Sequence, residues 1–342
     1  MNRTVKIEKA PFLRSEDTVT SLMGDMLIVL LFLYAVPLYL YGLRVLKNLI
    51  VSLFLCYGAD QLLGWHKNRR FCPRDLSAMV TGAMLPLLYP ASVPLWVILT
   101  ADLFAVLIAK YPFGGLGNNP FNPAAAAFCF TAVSWSERVF LYPAPGQWLR
   151  VFGAVGEGVR YGKSMAGTLQ NNGRPLYGVL EILSGNTAGA IGTGCFIVIA
   201  AATVFLLYRR TVNYQIPAGV LLGAAVCALL FPRITTGRLQ SLWFELTGGM
   251  LVFGAVFMAS DPVTSPKHPY AKWIYGGAIG VLTMLFRYFG KMEFAFPFAL
   301  LIANSFTPFL DKIGTGIDRY TDIPLHRIVG RRCRGEGGDS DV

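Results

Sequence analysis

The chain has 342 residues, 54% hydrophobic and 14% charged, with a mean hydropathy of +0.51. Soluble domains carry about 25% charged residues, so this composition excludes a water-soluble globular enzyme and indicates a polytopic membrane protein with short loops. The net charge is +11, but the basic residues are scattered between apolar runs. That is a topology signal, not a nucleic-acid surface.

The first 25 residues are polar and of mixed sign. They read as a cytoplasmic segment without the cleavage site of a secretory signal. A spanning helix needs about 20 largely apolar residues, fewer where it is broken or shielded. The pattern predicts ten spans: 26–43, 45–63, 77–90, 93–110, 122–136, 188–208, 214–232, 247–260, 273–290 and 294–310. The third, fifth and eighth are short, and each abuts a Pro or Gly break. With the N-terminus inside, the inner segments hold 19 of the 30 Lys and Arg residues and the outer ones 11. Five of those 11 are diluted over a long outer loop, and long loops count for little. Both termini are therefore placed in the cytoplasm, which requires an even number of spans.

The chain thus divides into an N-terminal segment (1–25), five spans (26–136), an extracytoplasmic loop (137–187), five more spans (188–310) and a basic tail (311–342). The tail composition is that of a disordered segment. An odd number of spans in each half makes any internal repeat inverted in topology. The expected fold is all-α and integral to the membrane, with ten transmembrane helices as two inverted five-helix repeats.

Two breaks interrupt the apolar pattern. The first is Gly114–Gly115–Leu116–Gly117–Asn118–Asn119–Pro120–Phe121–Asn122–Pro123–Ala124. The second is Ala259–Ser260–Asp261–Pro262–Val263–Thr264–Ser265–Pro266. Irregular backbone at membrane depth is tolerated only where it is buried in protein or lines a polar cavity. The pair points to a site between the two halves. Asn118, Asn119 and Asn122 offer amide oxygens there, and Asp261 and Thr264 add a carboxylate and a hydroxyl. Capping is the competing role for Asp261, which precedes Pro262, and for Asp75 in Asp75–Leu76–Ser77.

Asp60 and Asp102 fall inside predicted spans with no capping role. Charges at that depth mark sites, so both are candidates for a Na⁺ path. Glu293 and Arg287 are close enough in sequence to pair. Lys110 is expected to snorkel to the inner interface, and Arg209 and Arg210 to fix topology, with a phosphate contact as a second role. The six cysteines form no C-x-x-C pair, and four sit in apolar runs, so they read as small buried hydrophobes. His66, His268 and His326 are scattered over loops, which argues against bis-His haem ligation.

Several of these stretches also carry a family resemblance. They are Asp75–Leu76–Ser77–Ala78, the whole 114–124 run, Gly185–Asn186–Thr187–Ala188–Gly189–Ala190–Ile191–Gly192 and Tyr208–Arg209–Arg210. Ser260–Asp261–Pro262–Val263–Thr264–Ser265–Pro266, Arg287–Tyr288–Phe289–Gly290 and Asn304–Ser305–Phe306–Thr307–Pro308 complete the set. Across about residues 70 to 312 the chain resembles the NqrB/RnfD family. Its members are the RnfD component of Rnf complexes and the related NqrB component of the sodium-translocating NADH:quinone oxidoreductase. The short N-terminal region makes the chain more similar to the Rnf component. The resemblance implies a fold like that of urea transporters and ammonium channels. It also implies electron transfer coupled to Na⁺ or H⁺ movement, alongside membrane and peripheral partner subunits. The location would be a bacterial or archaeal cell (inner) membrane.

The resemblance further implies FMN bound covalently through its phosphate to a threonine by a flavin transferase, and a second flavin, such as riboflavin, held non-covalently. Asn118, Asn122, Asp261 and Thr264 would be cofactor-binding residues. Two threonines fit the attachment pattern in different ways, Thr168 being the first choice and Thr187 the alternative. Thr168 in Ser164–Met165–Ala166–Gly167–Thr168 has the right place upstream of Gly185–Asn186, but Gly162 stands where the pattern has an acid. Thr187 in Ser184–Gly185–Asn186–Thr187 fits the local string better but belongs to the downstream element. Trp135, Trp148, Phe152 and Tyr161 flank the loop, as walls for a flavin ring or as an interfacial belt. No Gly-x-Gly-x-x-Gly follows a strand, so NADH oxidation is expected in another subunit. The rival reading is a channel or secondary transporter on the same fold with no redox role, since fold alone does not fix function. A third is a scaffold protein without covalent flavin.

Overall fold

The computed structural model describes residues 19–68, 75–115, 117–153, 155, 158–171, 173–234 and 237–321. The chain is built from helices. In order they are α1 (Val19–Tyr41), α2 (Leu43–Asn68), α3 (Ser77–Leu88), α4 (Leu95–Phe113), α5 (Pro123–Ser134) and the single turn α6 (Ser136–Val139). Across the loop come α7 (Met165–Gln170) and α8 (Val179–Ser184). Then follow α9 (Phe196–Tyr208), α10 (Gln215–Leu230), α11 (Arg238–Thr247), α12 (Leu251–Met258), α13 (Pro269–Tyr288) and α14 (Phe296–Thr321).

Each of the ten predicted apolar segments contains a helix, but they differ in reach. Among the described residues, three helices are long and apolar enough to cross a membrane: Val19–Tyr41, Leu43–His66 and Leu95–Phe113. The pair α11 and α12, bent by 60°, makes a fourth if counted as one span. The helices α3, α5, α9 and α10 are apolar but shorter. The molecule is a multi-pass, mostly helical membrane protein. The 188–208 segment is helical only from Phe196. Its first part is glycine-rich backbone tied to the end of α3, where Gly192 N–H donates to Leu87 O (2.8 Å) and Ile191 N–H to Tyr89 O (3.1 Å). Against the strand-free sequence reading, the 137–187 loop holds a short antiparallel ladder, β1 (Tyr142–Pro143) on β2 (Tyr161–Gly162).

Two helix seams organise the interior. At the first, α10 packs on α13 through glycines. A Cβ at Gly280 would lie 2.2 Å from Val220 O, one at Gly223 would lie 2.5 Å from Gly277 O, and one at Gly276 would lie 2.6 Å from Ile216 O. Gly219/Gly223 and Gly276/Gly280 are small-xxx-small pairs, which let helix backbones touch where lipid supplies no hydrophobic drive. At the second seam, Ser52, Cys56 and Asp60 recur every four residues along one face of α2. They meet Asp102 and Lys110 of α4.

Both breaks have the same local anatomy. Ala105–Lys110 at the end of α4 and Gly254–Met258 at the end of α12 are wound as wide π turns, which recur at functional sites. The chain then leaves the helix and re-enters one beginning with proline, Pro123 or Pro269.

Candidate functional site between the two breaks

Asn122 joins the breaks. Its Oδ1 caps α5, accepting from Ala124 N–H (3.0 Å) and Ala125 N–H (3.2 Å), while its Nδ2 donates to Met258 O (3.1 Å) at the end of α12. Proline at the first helical position has no N–H to satisfy, so one asparagine oxygen serves the next two donors. Asp261 does not cap a long helix: α13 starts eight residues later, at Pro269. Its carboxylate instead organises the turn, with Oδ1 accepting from Val263 N–H (3.1 Å) and Oδ2 from Thr264 Oγ1 (3.4 Å). Thr264 is buried, and its carbonyl accepts from Thr307 Oγ1 at 3.1 Å.

Asn119, Asn122 and Asp261 line one cavity of about 60 Å³, together with Ser77, Lys110, Phe257, Met23 and Met26. The breaks therefore converge, as expected, but with a different membership. Asn119 lies at the cavity, whereas Asn118 is exposed and Thr264 supports the wall from behind. A cavity of this size holds a few waters. The amide and carboxylate groups suit the polar edge of a flavin ring, but the volume does not admit a three-ring system with the side chains as they stand.

Lys110 does not snorkel. It is 4% exposed, and its ammonium meets Asp60 Oδ1 (2.9 Å), Asp75 Oδ2 (3.5 Å) and Ser77 Oγ (2.7 Å). Asp75 also accepts from Ser77 N–H (2.9 Å), so it holds the start of α3 as expected. Asp60 is thus engaged with a cation and is not an open metal ligand. Asp102 is fully buried. Ser52 Oγ lies 2.7 Å from Asp102 Oδ1 and 2.8 Å from Gly82 O, and the Cys56 thiol sits against the same carboxyl. Ser52 has one proton to donate, so it is shared between the Asp102 carboxyl and the Gly82 carbonyl. Asp60 and Asp102 are not joined in a shared cage: no group of three or more His, Cys, Asp or Glu side chains suited to a metal occurs among the described residues.

Arg287 does not pair with Glu293. It meets Glu245 Oε2 (3.1 Å) and donates to Glu245 O and Gly248 O (both 2.6 Å), while Arg233 approaches Glu245 Oε1 at 3.2 Å. Arg287 thereby ties α13 across the bend between α11 and α12. Glu293 turns toward the outer loop, where Ser164 Oγ donates to its carboxylate. Burial pushes the Glu293 carboxyl above the usual carboxylate range, against the pull of hydrogen bonds from Ser164 and Tyr142. Arg209 pairs with Asp25 (3.0 Å), fastening the end of α9 to α1.

The two threonines differ in access. Thr168 sits half-buried on α7, and its Oγ1 donates to Ser164 O at 2.9 Å. Thr187 is 6% exposed, in the glycine-rich entry to α9. The flanking aromatics form no cage about either. Trp148 and Phe152 are 78% exposed, and Trp135 packs edge-on against Trp96 at 5.0 Å. Cys56, Cys129 and Cys195 are buried and form no disulfide; Cys129 fits the reading as a small hydrophobe, whereas the Cys56 thiol meets Asp102. His326 and the end of the tail lie outside the described residues.

A profile of the NQR2, RnfD, RnfE family matches residues 6–316. The chain belongs to that family. Among its relatives, the RnfD component of the ion-translocating oxidoreductase complex of Haemophilus ducreyi is 28% identical over 335 residues, covering 90% of this chain and 96% of the relative. The component of the same name from Shewanella frigidimarina is 29% identical over 333 residues, covering 90% and 95%. That from Alcanivorax borkumensis is 31% identical over 258 residues, covering 72% and 75%.

Proposed function

We propose that the protein is the membrane electron-transfer component of an ion-translocating ferredoxin:NAD⁺ oxidoreductase complex, moving Na⁺ or H⁺ and carrying covalent FMN on Thr168. The observation that carries this reading is the near full-length match to proteins named for such complexes. Thr168 is preferred over Thr187 because a transferase must reach the hydroxyl, and Thr168 is the accessible one, on a loop outside the membrane helices. A flavin at Thr168 would supply one- and two-electron chemistry. The chain's own residues do the rest: the Asn122 bridge holds the two breaks at a fixed separation, and Ser52 donates to the buried Asp102 carboxyl. The Lys110 ammonium meets Asp60 and Asp75 and offsets one of their two charges. A second, non-covalent flavin at the 60 Å³ cavity would require the flexible Met23 and Met26 to move.

Ten spans in two inverted halves remain the architecture we favour, with one change in how the halves correspond. The 114–122 and 259–268 breaks are joined by the Asn122–Met258 bond and share a face, whereas mates in an inverted repeat must lie on opposite faces. The mate of Pro262–Val263–Thr264–Ser265–Pro266 is then Pro90–Ala91–Ser92–Val93–Pro94, which has the same proline spacing and precedes α4 as the other precedes α13. The mate of the 114–122 break is 289–295, before α14.

Membrane vesicles holding the whole complex test the proposal. Ferredoxin-driven NAD⁺ reduction should build an ion gradient, and Thr168→Ala should abolish both. Unchanged NAD⁺ reduction in the variant would favour the channel or transporter reading.

A further inference from the structure

A second and larger cavity, of about 530 Å³, opens on the face that carries the 137–187 loop. This is the size of a small-molecule site. Its walls hold three cations, Arg44, Lys47 and Arg138, and three aromatic rings, Trp96, Phe152 and Tyr161, with no carboxylate among the described lining residues. None of the three cations forms an ion pair among the described residues. Arg44 is 2% exposed and donates only to backbone carbonyls, those of Arg150 (3.0 Å), Gly153 (3.1 Å) and Val93 (3.4 Å), while its Nε has no partner. Lys47 donates to Val151 O (2.7 Å) and stands 5.7 Å over the Phe152 ring. A buried cation facing only neutral dipoles is costly until an anion joins it.

The place of the cavity narrows the anion. Arg44 and Lys47 lie one turn apart at the start of α2, where the spanning segment begins. Trp96, Phe152 and Tyr161 are 46%, 78% and 46% exposed at that level, as in the aromatic belt of a membrane interface. Below it on α2, Leu46, Ile50 and Phe54 are exposed, an apolar track leading away from the cations. From this geometry we infer that the cavity binds the phosphodiester headgroup of an anionic phospholipid, with the acyl chains along α2. The bound lipid would complete the anchoring of the outer loop, because the same Arg44 holds the 150–153 backbone.

The test uses the full chain purified in detergent and examined by native mass spectrometry, with phosphatidylglycerol, phosphatidylcholine and inorganic phosphate as probes. Phosphatidylglycerol should be retained over phosphatidylcholine. Lys47→Gln and Arg138→Gln should each weaken it about fivefold, and together about 25-fold. Arg44 is left intact because its loss would free the loop backbone. Melting temperature and monodispersity of the variants confirm folding. Equal retention of the two lipids, or indifference to the double variant, would overturn the proposal. So would equal occupancy by inorganic phosphate, or a flavin as the co-purified anion. Glu157 lies outside the described residues. Phosphatidylglycerol binding only after Glu157→Gln would show a pocket neutralised from within, and would overturn the proposal as well.

Discussion

The two central seams bring helices together by opposite means. Between α10 and α13, Gly219, Gly223, Gly276 and Gly280 remove side chains so that backbones touch. Between α2 and α4, Ser52, Cys56 and Asp60 face Asp102 and Lys110. A glycine seam can only hold, because it offers dispersion contacts and no group that changes charge. A polar seam is expensive in lipid, and its expense is explained if charge moves there. Of the two seams, the one in the first half carries the titratable groups, and the one in the second half is a rigid backbone contact.

Substitutions break that comparison in a predictable order. Gly280→Leu places a branched side chain where a Cβ alone would be 2.2 Å from Val220 O. It should cost the most, with the purified yield of folded protein falling below detection by size-exclusion profile. Glu245→Gln leaves Arg287 and Arg233 without their carboxylate and should cost about 3–5 kcal/mol, read as a large drop in melting temperature. Asp102→Asn keeps the size and the contact with Ser52, so melting should shift little, within about 1 kcal/mol, while ion pumping by the assembled complex falls at least tenfold. A stability loss as large as that of Glu245→Gln would make Asp102 a structural residue.

The smallest effect is one of pH. The folded state raises the Glu293 carboxyl above its unfolded value. Its contribution is therefore fully present at low pH and is lost as pH rises through the raised value. Hydrogen exchange of the 164–170 amides should quicken as pH is raised through that range, after correction for intrinsic exchange. Glu293→Gln should flatten the dependence.

Much of this was legible in the residues. Apolar run lengths placed a helix in each of the ten segments, and the Gly/Asn/Pro runs marked the breaks. The Gly-xxx-Gly spacing of α10 and α13 and the Ser52–Cys56–Asp60 repeat were also present in the sequence, as small and weakly polar residues easily passed over in an apolar run. What could not be read was which partner a charge takes. Arg287 lies six residues from Glu293 and 42 from Glu245, yet the bend between α11 and α12 brings the distant carboxylate to it. Lys110 looked interfacial because two of its partners, Asp75 and Ser77, lie in another part of the chain across a polar loop. Position relative to Gly185–Asn186 put Thr168 ahead of Thr187 in the sequence, but their burial, half-buried against 6% exposed, could not be read there.

The most direct test of the central claim is flavin fluorescence of the denatured protein in a gel, after co-expression with the flavin transferase, for the wild type, Thr168→Ala and Thr187→Ala. Fluorescence in the wild type and in Thr187→Ala, and none in Thr168→Ala, is the predicted result. A dark wild type with an active transferase, or fluorescence that survives Thr168→Ala, would contradict a covalent redox centre on Thr168.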